Sequence, residues 1–203
     1  MELDVAIALP ISGQGSKWSA ERLWVVVSQG SSHMTNSTDP YLRFRPQAAT
    51  AADETCRCEP GTPILLQPHL SRNPLSCCRC NLEVPPERFS FDVALVDALA
   101  SWRDFHDSFY HLWLDSGEFE DWAAAQLRDP SSPVNTRGLD LARRLSIHHL
   151  CYLWWFQDEG APDWMPATRC PRCSAMLDIR FRGERPQRGV LRVCDSCLIA
   201  LSA

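Results

Sequence analysis

Apolar side chains recur at helical spacing through the middle of the chain. Between Asp92 and Leu114 they fall three or four residues apart, at Leu95, Leu99, Trp102, Phe105, Phe109 and Trp113. This spacing places them on one face of an amphipathic helix. The sequence therefore predicts a helix over most of residues 92–114.

Two further helices are predicted downstream. Asp115 and Glu118 form a capping-box-like start, and the apolar residues continue through Trp122 and Leu127. The third helix is predicted from about Asn135 to Phe156, on a stripe made of Leu139, Ala142, Leu145, His149 and Tyr152. Together these helices form a predicted central helical body.

Alternating positions near the C-terminus predict a β-hairpin instead. Leu177, Ile179 and Phe181 alternate with Asp178, Arg180 and Arg182, residues 183–189 are rich in turn formers, and Val190, Leu191 and Val193 form the returning strand. Short apolar runs at 5–9, 23–27 and 63–66 also predict strands. The fold expected is α+β, with an N-terminal irregular or β region (1–88), a helical body (89–165) and a C-terminal zinc-ribbon hairpin (166–203).

Four cysteines flank the predicted hairpin. Cys170-Pro-Arg-Cys173 is followed, after twenty residues, by Cys194-Asp-Ser-Cys197. Each C-x-x-C turn brings two sulfurs within reach of one ion, and two such turns complete a zinc tetrahedron. A ribbon this small cannot bury enough apolar surface to hold itself, so Zn²⁺ would supply folding free energy.

A second cysteine cluster lies in the N-terminal region. Cys56 and Cys58 are followed, after eighteen residues, by Cys77, Cys78 and Cys80. A second Zn²⁺ held by Cys56, Cys58, Cys77 and Cys80 is one reading, with Cys78 spare or replacing a neighbour. The other reading is a set of reduced cysteines, some of them buried as small hydrophobic residues.

Charge is distributed unevenly along the chain. The net charge of −5 divides into +4 for residues 168–203, which carry seven arginines, and −9 for the remainder. Residues 92–129 hold nine carboxylates against Arg103 and Arg128. These carboxylates form either the solvated face of amphipathic helices or an acidic, aromatic-bearing surface that binds a basic protein. We expect the second, and a toxin neutralised by its immunity protein is one such case. The alternative is nucleic-acid binding through Arg180, Arg182 and Arg192 of the ribbon.

Residue patterns typical of enzymes are weak in this sequence. His106, Asp107 and His111 are more typical of ordinary helix side chains than of a hydrolase metal site. Cys151 has no base marked for it, so core packing is favoured over nucleophilic catalysis. No phosphate-binding glycine motif or serine elbow appears. The sequence therefore predicts a non-catalytic protein.

The cysteine usage and the apolar runs indicate a compartment. Clustered C-x-C and C-x-x-C pairs, with no basic region before the first apolar residues, favour a reducing cytoplasm. The longest apolar runs are too short for a membrane span, so no membrane association is expected.

The chain resembles a family of bacterial zinc-ribbon-containing proteins without established activity, to which nucleic-acid binding has been ascribed. The resemblance is carried by Pro74-Leu75-Ser76-Cys77 with Cys80, by the helix start at 138–141, by the aromatic run 152–156 and by the ribbon cysteines. It implies that the four ribbon cysteines bind zinc and that Cys77 and Cys80 act as a pair.

Overall fold

Among the described residues, six short strands form one mixed sheet, and three α-helices and one 3-10 helix (Pro86–Arg88) accompany it. The computed structural model describes residues 41, 50–68, 72–182, 184 and 189–202, all within a unit that spans Asn36–Ala203. The strands are β1 (Ile64–Leu66), β2 (Leu75–Cys77), β3 (Cys151–Trp154), β4 (Asp178–Arg180), β5 (Leu191–Cys194) and β6 (Ile199–Ser202). The strands predicted at 5–9 and 23–27 lie outside the described residues.

The sheet order is β2-β1-β3-β6-β5-β4. The outer pairs β1–β2, β4–β5 and β5–β6 are antiparallel, whereas β3 lies parallel to both β1 and β6. The sheet thus takes strands from all three segments of the chain that the sequence distinguishes. The strands predicted at 63–66, 177–182 and 190–193 are confirmed as β1, β4 and β5, within a residue or two at each end.

The helices are α1 (Val93–Asp115), α2 (Glu120–Arg128) and α3 (Pro133–Ser146). The first matches the predicted helix closely and is capped by Asp92, whose carboxylate accepts a hydrogen bond from the Leu95 amide at 2.7 Å. The turn before α2 is held by Ser116 and Glu120, which accept from the amides of Phe119 and Gly117. The capping box expected at Asp115 and Glu118 is therefore displaced toward α2.

The predicted third helix was wrong beyond Ser146. The chain leaves α3 there, and the Ser146 hydroxyl accepts a hydrogen bond from the Cys151 amide at 3.0 Å where β3 begins. The run from Cys151 to Phe156 has no charged or amide side chain, which suits a strand buried on both faces. Such a run cannot be distinguished from a buried helix by periodicity.

One face of the sheet packs against the helices. Ile64, Leu153 and Ile199 belong to the same buried cluster as Leu99 of α1 and Leu145 of α3. Residues of the opposite face are also buried, and the members of that second cluster are Leu65, Cys78, Tyr152, Leu191, Val193 and Ala200. Burial on both faces makes β3 the centre of the fold.

Candidate metal centres and binding surfaces

The structure gathers eight cysteines into two groups of four. The ribbon site contains Cys170, Cys173, Cys194 and Cys197, and the first site contains Cys56, Cys58, Cys77 and Cys80. Within each group the four sulfurs lie within 4.8 Å of one another. These are the eight residues named from the sequence, and either group could hold a metal ion such as zinc. Zinc itself, as the occupant, stays a prediction.

The sulfur geometry fits a tetrahedral ion better than a disulfide. The Sγ atoms of Cys173 and Cys194 are 3.7 Å apart. Zn–S bonds of about 2.3 Å place the sulfurs of a tetrahedron about 3.8 Å apart, whereas a disulfide requires about 2.05 Å. All ten cysteines are free thiols. The donor set therefore suits Zn²⁺.

Three of the four cysteine pairs share one local backbone shape. Each C-x-x-C turn is followed by a residue with positive φ: Asn81 (60°), Ser174 (61°) and Leu198 (55°). The Asn81 and Ser174 amides donate to the carbonyls of Cys77 and Cys170 at 2.9 Å. A leucine in this left-handed region costs about 1–2 kcal/mol, which metal binding would offset. The turn directs both sulfurs of a pair to the same point.

The fourth pair, Cys56 and Cys58, uses a different device. It lies in a segment without helix or turn, where residues i and i+2 share a face, so a C-x-C spacing presents two sulfurs together. The Arg88 guanidinium donates to the Cys56 sulfur at 3.7 Å and to the Cys58 carbonyl at 3.1 Å. Its positive charge would balance part of the negative charge of four thiolates around one dication.

The pKa values of the cysteine thiols indicate which of them a metal ion would have to deprotonate. Burial raises the pKa of Cys58 to about 11, with a further contribution from Cys77, and burial also raises the pKa values of Cys80, Cys194 and Cys197. The Ala175 amide and the neighbouring thiols lower the pKa of Cys173 to about 7. Most of these groups are therefore protonated without metal at neutral pH, and metal binding releases protons.

Cys78 and Cys151 stand apart from both sites. Each is fully buried, and neither belongs to a group of potential ligands. Burial raises the pKa of the Cys151 thiol far above its usual range, which leaves it protonated and unreactive. This agrees with the core-packing role expected of Cys151.

A hydrogen-bond network ties the ribbon site to the centre of the sheet. The Tyr152 hydroxyl donates to Asp195 at 2.6 Å, and Arg180 donates to Asp195 at 2.6 Å and to the Tyr152 oxygen at 3.1 Å. We call these three residues the ribbon network. Asp195 lies between Cys194 and Cys197, so the network joins a metal-binding turn to strands β3 and β4.

The ribbon network changes the outlook for the arginines proposed to contact nucleic acid. Arg180 already has a carboxylate partner in Asp195. Arg182 is exposed and Arg192 is half-buried, with a buried Nε that has no partner among the described residues. Nucleic-acid binding through this surface stays a prediction, now with Arg182 as its main candidate.

An acidic and aromatic surface lies where α1 meets α2. Phe119 and Trp122 each expose about half of their surface (52% and 51%), as does Leu114 (50%). Exposed carboxylates alternate with them. We call this surface the acidic–aromatic patch, and it comprises Leu114, Asp115, Glu118, Phe119, Glu120, Asp121 and Trp122.

A cleft of about 520 Å³ lies beside the C-terminal half of α1. Its other wall comes from Pro68, Phe156 and Gln157, which follow β1 and β3. Because β1 and β3 are parallel, their carboxyl ends meet at this edge of the sheet. Ligands commonly bind outside the carboxyl ends of parallel strands. We call this the aromatic cleft.

Histidine and carboxylate side chains line the aromatic cleft, and the sequence did not identify them as a binding site. His106, Asp107 and His111 all lie there, but they form no group of three potential metal ligands among the described residues. His106 is buried, with only 5% of its surface exposed, and does not lie on the helix surface. The cleft forms only because strands distant in sequence pair and bring the residues after β3 against α1, and no local sequence pattern indicates that pairing.

No helix in the described part of the chain is long and apolar enough to cross a membrane.

Comparisons with known proteins place the chain in no group. No family model matches it, and no curated protein or solved structure matches it either. The two cysteine groups fit the zinc-ribbon character of the family that the sequence resembles. Membership of that family stays a prediction, because the support for it is this local likeness in the metal-binding turns.

Proposed function

We propose that the protein is a non-catalytic, zinc-stabilised binding protein that holds a basic protein partner on its acidic–aromatic patch. The observation that carries the proposal is the concentration of exposed aromatic and acidic side chains at one helix–helix turn. Tryptophan and tyrosine are enriched among the few residues that supply most of the binding free energy in protein interfaces. Carboxylates around them select a positively charged partner and accelerate its approach.

The character of the metal sites supports binding over catalysis. Each site offers four cysteine ligands, and a tetrahedral zinc ion with four protein ligands has no open position for substrate. Zinc in such a site stabilises the fold. Binding would then be carried out by the surfaces of the folded protein and not by the metal sites.

A matched pair of charge-reversal variants tests the proposal. Glu118→Lys with Asp121→Lys alters the patch, while Glu159→Lys with Asp163→Lys makes the same change in net charge at exposed positions of a loop. We expect wild type and the loop variant to retain a basic protein from host lysate, with salt-sensitive binding, and the patch variant to lose it. Equal retention by both variants, or capture of acidic proteins only, would contradict the proposal.

Two further arms separate the remaining hypotheses. If the partner is a toxin, the protein should inhibit its activity at a one-to-one ratio, as an immunity protein would. Titration against labelled DNA and RNA at low salt tests the alternative, because phosphate contacts are strongest there. Binding that Arg182→Ala and Arg192→Ala remove, and that the patch variant keeps, would favour the nucleic-acid function.

A further inference from the structure

The aromatic cleft contains buried polar atoms that lack partners. His106 Nδ1 and Gln157 Oε1 are both buried without a hydrogen-bond partner among the described residues. An unpaired buried polar atom costs roughly 1–3 kcal/mol, so such atoms are normally satisfied. Both residues line the aromatic cleft, and a group bound there is placed to complete these atoms.

The polar groups of the cleft are hydrogen-bond acceptors, so they favour a ligand that donates hydrogen bonds. Gln157 Oε1 accepts hydrogen bonds, and the Asp107 carboxylate lines the same space. Burial lowers the pKa of His106 to about 4, so its imidazole is neutral and offers a lone pair. Arg103 acts electrostatically on Asp107; its terminal nitrogens pair with Asp104 and with the Arg72 carbonyl, and its buried Nε has no partner among the described residues.

Aromatic rings form much of the remaining wall. Trp113 and Phe156 meet edge to face with their centroids 4.9 Å apart, and Tyr110 lies 5.2 Å from Trp113. Trp154 lines the cleft as well. Aromatic faces attract organic cations, and the planar guanidinium also stacks on them.

We propose that the aromatic cleft binds a guanidinium group, supplied by an arginine side chain of the basic partner; the source of the group rests on the proposed function. A guanidinium is planar, carries a positive charge and has five N–H donors. It can stack on Tyr110, Trp113 or Trp154 while it donates to Asp107, Gln157 and His106. The Phe156 ring already has the Arg128 guanidinium 5.6 Å from its centroid. An ammonium group lacks the flat face, and a neutral urea group lacks the charge.

Blocked amino acids test the cleft without the partner. We would titrate zinc-loaded protein with N-acetyl-arginine-methylamide, and with the citrulline and lysine equivalents, and follow the indole N–H signals by NMR. The arginine compound should shift the signals of Trp113 and Trp154, and the neutral citrulline compound should bind at least about tenfold more weakly, since hydrogen bonds to charged groups are the stronger ones. Equal binding of arginine and citrulline compounds, or no shift with either, would overturn the proposal.

Matched variants locate the effect. Asp107→Asn keeps the size of the side chain and removes its charge, so it should weaken arginine binding about tenfold or more. Asp115→Asn, on the same helix but within the acidic–aromatic patch, should leave this titration unchanged. Equal affinity for Asp107→Asn and wild type would overturn the proposal even if both proteins are fully folded.

Partner capture distinguishes this inference from the proposed function. If Asp107→Asn and the patch variant both lose the partner, the arginine source is supported. If the patch variant loses the partner while Asp107→Asn retains it, the proposed function stands and the arginine source is wrong. Tight binding of free agmatine, with partner capture unaffected by Asp107→Asn, would identify a small guanidinium compound instead of a protein side chain.

Discussion

Replacing one cysteine in each tetracysteine site should remove zinc one ion at a time. We expect two zinc ions per wild-type chain, one in Cys80→Ser and one in Cys173→Ser. Cys78→Ala is the matched control, because Cys78 lies between two predicted ligands in sequence and belongs to neither site. It should keep both ions.

The size of the effect follows from what each site joins. The first site ties the segment around Cys56 to the turn after β2, and the ribbon site ties together the two turns that flank β4 and β5. Structural zinc contributes about 10–16 kcal/mol of apparent binding free energy at pH 7. A whole domain is stable by only about 5–15 kcal/mol. Losing either ion should therefore unfold that end of the sheet.

Metal content and unfolding measure the two parts of this prediction. Plasma mass spectrometry after dialysis gives the number of ions per chain, and near-UV circular dichroism during urea titration reports packing of the tryptophans. Cys78→Ala removes a fully buried sulfur and should lower the free energy of unfolding by only about 1 kcal/mol. A metal-free wild type with a cooperative unfolding transition, or loss of an ion from Cys78→Ala, would refute the reasoning.

Three smaller perturbations test the packing and electrostatics of the fold. In Gly138→Ala the added Cβ would lie 2.9 Å from Trp102 Nε1 and from a β3 leucine. Overpacking of about 1–3 kcal/mol should exceed the helix-propensity gain of up to about 1 kcal/mol. The urea midpoint should therefore fall, and an unchanged midpoint would count against this. His106 has a folded pKa of about 4 against about 6.5 when unfolded, so its contribution to stability is present above pH 6.5 and is lost as pH falls toward 4. Relative to His106→Gln, wild type should lose about 2 kcal/mol between pH 7 and pH 5, and parallel pH profiles for the two proteins would show otherwise. Asp195→Asn should lower the free energy of unfolding by about 1 kcal/mol. In a double-mutant cycle with Tyr152→Phe the two losses should not add, because both variants break the same hydrogen bond; additive losses would contradict this.

The parts of the structure that depend on neighbouring residues were accessible from the sequence. The C-x-x-C turns that begin at Cys77 and Cys170 each close within five residues, so spacing alone indicates that Cys170 and Cys173 converge. The helix from Val93 is equally local, because its apolar residues repeat at the helical period. The positions of α1 and of the ribbon hairpin could be predicted for this reason.

The centre of the sheet was not accessible in the same way. β3 pairs with β1 and β6, which are far away along the chain, and no local pattern records those pairings. Residues 147–150, which follow the end of α3 at Ser146, include no proline or glycine, so the helical pattern in the sequence continues into Cys151. The aromatic cleft depends on this same misassigned segment, and its residues could not be assembled without the correct strand.

The arrangement of the sheet has a consequence for the order in which the chain folds. Its outer hairpins join residues close in sequence, such as Ile64 with Cys77, whereas Ile64 also pairs with Cys151 across the middle of the chain. Closing a long loop costs more entropy than closing a short one, and non-local pairing slows folding.

Metal availability would therefore set the pace of folding. The four cysteines of each site lie within or just beside one hairpin, so each hairpin would capture an ion before the centre of the sheet forms. In a later step, α1, α2 and α3 would form and bring β3 between the two metal-bound hairpins. A chain made while zinc is scarce would lack both preformed edges, and its unpaired central strand, which begins the apolar run 151–156, would be exposed to aggregation.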